Sequence, residues 1–191
     1  MGALDEGERI LVPDADSWRS WLEAHHRASK GVWLVRARAG FALEAVGYED
    51  AVRQALCFGW IDGPTRSFDE RSGGLWFSPR RPNGGWAATN KARLIVLEEQ
   101  GLMTEAGWKA IAVAKANGSW EVLDGPEAGI EPEAFARALD AAPAARANWD
   151  AFPQSIKKLG LSQIALAKRE ETKSARITKI VADAAQGKRP S

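Results

Sequence analysis

The sequence predicts an α+β protein: a small, mostly antiparallel sheet with flanking helices, in the order β-α-β-α-β-β, followed by a helical C-terminal extension. Three observations predict it. Short runs rich in β-branched and aromatic residues fall before residue 80. Two stretches between those runs carry apolar residues at helical spacing. From Trp86 onward the apolar periodicity is helical throughout.

The elements follow in order. "RILVP" (9–13) reads as a first strand. Asp14, Asp16 or Ser17 can cap the helix "SWRSWLEAHH", where Trp18, Trp21 and Leu22 share a face. Gly31 breaks the chain, and "VWLVRAR" reads as a second strand. "AGFALEAVG" is a loop. "YEDAVRQALCFG" is a second helix with Ala51, Val52, Ala55, Leu56 and Phe58 as its buried stripe, stopped by Gly59. "WIDGPTRSFD" is a strand interrupted by a turn at Asp62-Gly63-Pro64, "ERSGG" is a turn, and "LWFSPR" returns as a strand. A helix from Trp86 ends at Gly101, and Thr104 caps the next. "SWEVLDGPEAGI" reads as a linker; helices at "PEAFARALDA", "PAARANWDAF", "SIKKLGLSQIALA" and "EETKSARITKIVADAA" follow. This gives an α+β domain over residues 1–120, a helical region over 121–186 and a frayed tail at 187–191.

Composition excludes several function classes. A chain of 191 residues that is 45% hydrophobic and 27% charged has the balance of a soluble globular protein. No run approaches the ~18 apolar residues of a membrane helix, and the acidic start "MGALDEGERILVPD" is unlike a secretory signal. The single cysteine, Cys57, allows no internal disulfide, so a cytoplasmic setting is expected. Two histidines and one cysteine cannot form a standard zinc site, and neither a metal nor a cofactor is expected.

Charge is unevenly spread. Residues 154–191 carry nine bases and three acids. Between Glu70 and Glu98 there is no acid, while Arg71, Arg80, Arg81, Lys91 and Arg93 all fall there. That acid-free interval contains "FSPRRPNGGWAATNK". Its prolines and glycines end a strand, and a helix beginning at Trp86 would offer free N–H groups and a positive dipole end. Two arginines beside a helix start are the chemistry of carboxylate or phosphate recognition. Trp86, Asn90 and Arg93 fall at i, i+4 and i+7, one helix stripe. Trp60 and Asp62 alternate along a strand and so share a face. The candidate ligand-binding set is therefore Trp60, Asp62, Arg80, Arg81, Trp86, Asn90, Lys91 and Arg93. Each has a plainer reading: Asp-Gly-Pro is turn chemistry, the arginines could be a solvated loop, and the tryptophans could be core. Cys57, beside Leu56 and Phe58, reads as a buried small hydrophobe.

"ALCFGWIDG", "FSPRRPNGGWAATNKARL", "GLMTEAGWKAI" and "ALAKREETKSARITKIV" resemble the YdeI/OmpD-associated family, also described as bacteriocin-protection proteins. The match includes Ala55 to Gly63, the Pro79-Arg80 pair, Trp86 and the Asn90-Lys91 pair. The chain departs from it at "AGFALEAVG", where members often have a Gly/Lys-rich loop. The resemblance implies protection against envelope stress or antimicrobial peptides and supplies no catalytic residue. The expected function is thus a non-catalytic protective protein that binds a small anionic or amphipathic ligand. Two alternatives stand beside it: a small-molecule enzyme using Asp62 with Cys57 or Lys91, and nucleic-acid binding through the basic tail, which its interleaved acids disfavour.

Overall fold

The structure is a computed structural model that describes residue 4 and residues 6–190. It divides into two compact units. One takes residues up to 82 together with 89–113; the other takes residues 83–88 together with 114 onward.

The first unit holds β1 (Arg9–Ile10), α1 (Ala15–His25), β2 (Val32–Ala37), α2 (Tyr48–Cys57), β3 (Trp60–Ser67) and β4 (Ser72–Pro79). It also holds most of α3 (Ala88–Glu99) and α4 (Glu105–Ala116). The strands form one sheet in the order β1-β2-β4-β3. β1 runs parallel to β2, and the other two pairings are antiparallel. Asp14 is the cap of α1, its carboxylate accepting from the Ser17 N–H at 2.8 Å. Trp18 and Leu22 bury one face of α1; Ala51, Val52, Ala55 and Leu56 bury one face of α2. The Trp18 indole donates to the Ala51 carbonyl at 3.0 Å, so this fully buried tryptophan satisfies its one polar group. Gly59 ends α2 with φ +71°, a conformation that costs glycine no Cβ clash. Thr104 caps α4 as expected, accepting from the Gly107 N–H at 3.4 Å.

The structure departs from the sequence reading at several joints. β1 is two residues long, because Leu11 to Pro13 run on to the α1 cap. Asp62-Gly63-Pro64 does not interrupt β3; the register slips there by a bulge between Asp62 and Thr65. Ser72, Gly73 and Gly74 belong to β4 and not to the preceding turn. α3 starts at Ala88, two residues after Trp86, so the indole is not on the helix stripe of Asn90 and Arg93.

The second unit is helical: α5 (Asp124–Glu127), α6 (Glu133–Asp140), α7 (Pro143–Ala151), α8 (Gln154–Ala165) and α9 (Glu170–Ala185). Residues 124–127 of the expected linker are helical. Phe135, Leu139, Trp149, Leu161, Ile164 and Ile180 are at most 2% exposed and form its core. α9 closes with Gly187 N–H to Ala184 O and Lys188 N–H to Asp183 O, the paired bonds of a Schellman cap. From the last residue of α9 onward, residues 185–189 are exposed and Pro190 is buried; Ser191, the end of the expected tail, lies outside the described residues. Lys173 and Lys179 on α9 pair with Glu170 and Asp183 on the same helix. Among the described residues, no helix is long and apolar enough to cross a membrane.

Candidate ligand-binding site

The expected site residues fall in both units. Trp60, Asp62, Arg80, Arg81, Asn90, Lys91 and Arg93 belong to the first, Trp86 to the second.

In the first unit the sheet and two helices gather part of the set around Tyr48, the first residue of α2. The Tyr48 hydroxyl donates to Asp62 Oδ2 on β3 at 3.0 Å. The next residue, Glu49, takes a two-pronged contact from Arg93 of α3: Nε to Oε1 at 2.9 Å and Nη2 to Oε2 at 2.6 Å. Arg93 Nη1 also donates to Asn90 Oδ1 at 2.9 Å. Arg80 follows β4, its backbone N–H bonded to the Gly59 carbonyl at 2.9 Å, and its Nε and Nη1 are buried. Burial pushes the Arg80 guanidinium down to about 10, and the charge of Asp62 works against that shift. Arg80 thus stays a cation at neutral pH. Burial raises the Tyr48 phenol, and the hydrogen bond and charge of Asp62 raise it further. The Glu49 hydrogen bond is the main cause that holds Arg93 up, with Asp62 adding to it. One carboxylate therefore acts on a phenol and two guanidinium groups, and Asp62, Arg80, Asn90 and Arg93 lie in one electrostatic cluster.

The remaining residues have other surroundings. Trp60 is 1% exposed and meets Trp21 edge-on, with ring centroids 5.8 Å apart. Arg81 is exposed, and Lys91 is half-buried. Trp86 is 2% exposed and packs on Trp120 with centroids 5.2 Å apart. The first N–H of α3, at Ala88, does receive an anion, and it is one of the chain's own: Glu127 Oε2 at 2.8 Å, with Lys158 Nζ on Oε1 at 2.6 Å. Burial pushes the Glu127 carboxyl up, but Lys158 and the Ala88 N–H outweigh it and hold the group below its ordinary value.

Cys57 is buried. Its thiol lies 3.3 Å from the Arg53 carbonyl, and burial pushes it up, away from the thiolate form a nucleophile needs. No group of three or more metal-ligating side chains occurs among the described residues.

Sequence reasoning missed Tyr48 and the cleft it borders. A cavity of about 220 Å³ lies between β2, the 38–47 loop and the start of α2. Leu34, Leu43, Val46, Ala51 and Leu75 wall it, and Tyr48 closes one side. The signal was present in "AGFALEAVGY": Phe41 and Leu43, in a loop, are 45% and 40% exposed, too apolar for a plain solvent loop.

Residues 10–110 match the family described as Domain of unknown function (DUF8412), and residues 129–187 match the family described as Bacteriocin-protection, YdeI or OmpD-Associated. No curated protein and no solved structure matches the chain. Of the motifs that suggested the second family, "ALAKREETKSARITKIV" lies inside its match, whereas "ALCFGWIDG" and "FSPRRPNGGWAATNKARL" lie inside the first. The chain thus belongs to the DUF8412 family, whose model covers residues 10–110, and its C-terminal helices over residues 129–187 are similar to the bacteriocin-protection, YdeI or OmpD-associated family.

Proposed function

We propose that the chain is a non-catalytic protein of the bacteriocin-protection type that acts by holding an anionic or amphipathic ligand. The observation that carries this reading is the position of Tyr48. Its ring borders the apolar cleft, and its hydroxyl is bonded to Asp62, whose charge also reaches Arg80 and Arg93. A cleft walled by aliphatic side chains, with Arg36 and backbone among its lining and Tyr48 linking it to a cluster of charges, suits a ligand with an apolar body and a polar end. At about 220 Å³ the cleft is smaller than the roughly 300–1,000 Å³ of drug-sized pockets. It fits a short chain better than a fused ring system. Asn90 and Glu49 hold Arg93 in place, Trp60 is part of the core of the same unit, and Trp86 is core of the helical unit against Trp120.

The test is a calorimetric titration of the whole chain with octanol, paired with a bacteriocin challenge of sensitive cells that express it. Tyr48→Ala should weaken octanol binding about tenfold by removing one wall of the cleft. It should lower survival in the challenge and shift the melting temperature little, since Tyr48 is 48% exposed. Absence of saturable octanol binding to the unmodified chain would remove the cleft from the account.

A further inference from the structure

A second cleft, of about 370 Å³, opens on the same sheet. Arg36, Ala37, Arg38 and Ala39 form one wall; Thr65, Arg66 and Ser67 form the other; Gly73 and Gly74 are the floor. The strand register explains this shape. Arg36 of β2 faces Gly73 of β4 across one ladder, and Gly73 faces Ser67 of β3 across the other. Neighbouring strands lie about 4.8 Å apart, so side chains of β2 and β3 stand roughly 10 Å apart over a strand that offers none. The floor admits nothing larger than glycine. A Cβ at Gly73 would sit 2.7 Å from the Arg66 carbonyl oxygen. Gly74 alternates to the opposite face, where a Cβ would meet the Phe68 ring at 2.6 Å, so on the Arg36 side it offers bare backbone.

Charge points the same way. Arg36 and Arg38 line this trough with no acid among its lining residues, while Arg66 alternates to the other face of the sheet, where its Nη1 donates to the Leu4 carbonyl at 3.4 Å. Arg36 and Arg38 are exposed, and Arg38 Nη1 is steadied by the Asp69 carbonyl oxygen at 2.9 Å, with the Asp69 carboxylate near enough to feel its charge. The Asp69 carboxylate, in the turn between β3 and β4, is already used. Its Oδ1 accepts the Arg71 and Ser72 N–H groups at 2.8 and 2.7 Å, and its Oδ2 accepts the Ser72 hydroxyl at 2.7 Å. Guanidinium forks on one side, with the Thr65 and Ser67 hydroxyls facing them over an open backbone floor, are the donor set that a tetrahedral oxyanion requires.

The two clefts share Arg36 and Ala37. An arginine can lay its aliphatic stem along an apolar wall while its head stays in water. Arg36 is thus placed to line the apolar cleft with its stem and the trough with its guanidinium. We propose that the trough seats the anionic head, of phosphate-monoester type, of an amphipathic ligand whose chain lies in the apolar cleft. This rests on the apolar-cleft reading above, and it moves the ligand's anionic group from Arg80 to Arg36 and Arg38.

The experiment titrates the full chain with octyl phosphate, octanol and inorganic phosphate, each against the unmodified protein and an Arg36→Gln/Arg38→Gln double variant. Both positions are exposed, so the variant should melt with the unmodified chain. Octyl phosphate should bind about tenfold or more tighter than octanol, and added salt should erode that gain. The double variant should abolish the gain, at about tenfold per arginine. Arg38→Gln alone, which lies outside the apolar cleft, should weaken octyl phosphate about tenfold and leave octanol binding unchanged. If octyl phosphate binds no tighter than octanol, or the double variant binds it as the unmodified chain does, the seat is overturned and the apolar cleft stands. If octanol does not bind while phosphate binds and is lost in the double variant, the seat stands and the apolar cleft falls.

Discussion

Glu131 and Asp62 are both carboxylates set among arginine and an aromatic donor, one in each unit, and they differ in how completely they are used. Glu131 Oε1 accepts the Trp149 indole at 2.8 Å and Arg146 Nη1 at 3.0 Å, while Oε2 accepts Arg146 Nη2 at 3.0 Å. Arg146 in turn reaches Asp140 and Asp150 at 3.0 and 3.3 Å. Every strong donor there comes from a residue fixed on α7, and the network locks a core tryptophan. Asp62 accepts the Tyr48 hydroxyl at 3.0 Å and acts on Arg80 and Arg93 by charge. A carboxylate offers about four acceptor positions. A group that fills them with short bonds from core residues is structural. A group that sits beside a cleft and acts mainly by charge is suited to a ligand.

The largest expected effect breaks the first network. Glu131→Gln removes the charge from a forked pair that also carries the Trp149 indole, so the helical unit should lose about 1.5–3 kcal/mol. Chemical denaturation followed by the fluorescence of its tryptophans measures this. A loss below about 0.5 kcal/mol would make Glu131 no more structural than an exposed ion pair.

The acid limb of stability gives a smaller effect and samples the first unit. The Arg93 hydrogen bonds hold Glu49 below its ordinary value of 4.5. A carboxyl lowered in the folded state binds fewer protons there than when unfolded. Its contribution is therefore complete above 4.5 and is lost as the pH falls through the lower folded value. Glu49→Gln should flatten that part of the melting-temperature profile and leave the neutral region nearly unchanged. Unaltered acid unfolding in the variant would show that the Arg93–Glu49 fork contributes nothing there.

The order of elements was readable because each boundary carries local chemistry. Asp14 caps α1, Gly59 stops α2 and Thr104 caps α4, and in each case the residue acts on backbone groups within a few positions. The site was less readable because its members depend on partners far along the chain. Glu49 lies 44 residues from Arg93, and Glu127 lies 39 from the helix start it caps. The acid-free interval around Arg80 promised unsatisfied cations and a vacant helix end, yet carboxylates from outside it meet Arg93 and Ala88. The trough at Arg36 was hidden for a related reason. Gly73 and Gly74 read as turn residues, and only the pairing of three strands places Gly73 as a floor between Arg36 and the Ser67 hydroxyl.

The smallest effect on stability belongs to Asp62, and it sharpens the comparison with Glu131 most. Asn at this position keeps an oxygen for the Tyr48 hydroxyl and loses the charge. Asp62 is half-buried, so the folded state should change by no more than about 0.5 kcal/mol. Two other quantities should move. The Tyr48 phenol, raised by burial and then by Asp62, should titrate at lower pH in Asp62→Asn, read from phenolate absorbance. Anions should bind the cluster more tightly, because Arg80 and Arg93 lose a compensating charge, while octanol should bind as before. A phenol that titrates earlier, with unchanged melting, leaves Asp62 a charge-setting group beside a ligand cleft. If Asp62→Asn instead costs as much as Glu131→Gln, the two carboxylates do the same structural job, and the polar end of the cleft has to be sought at Arg36 alone.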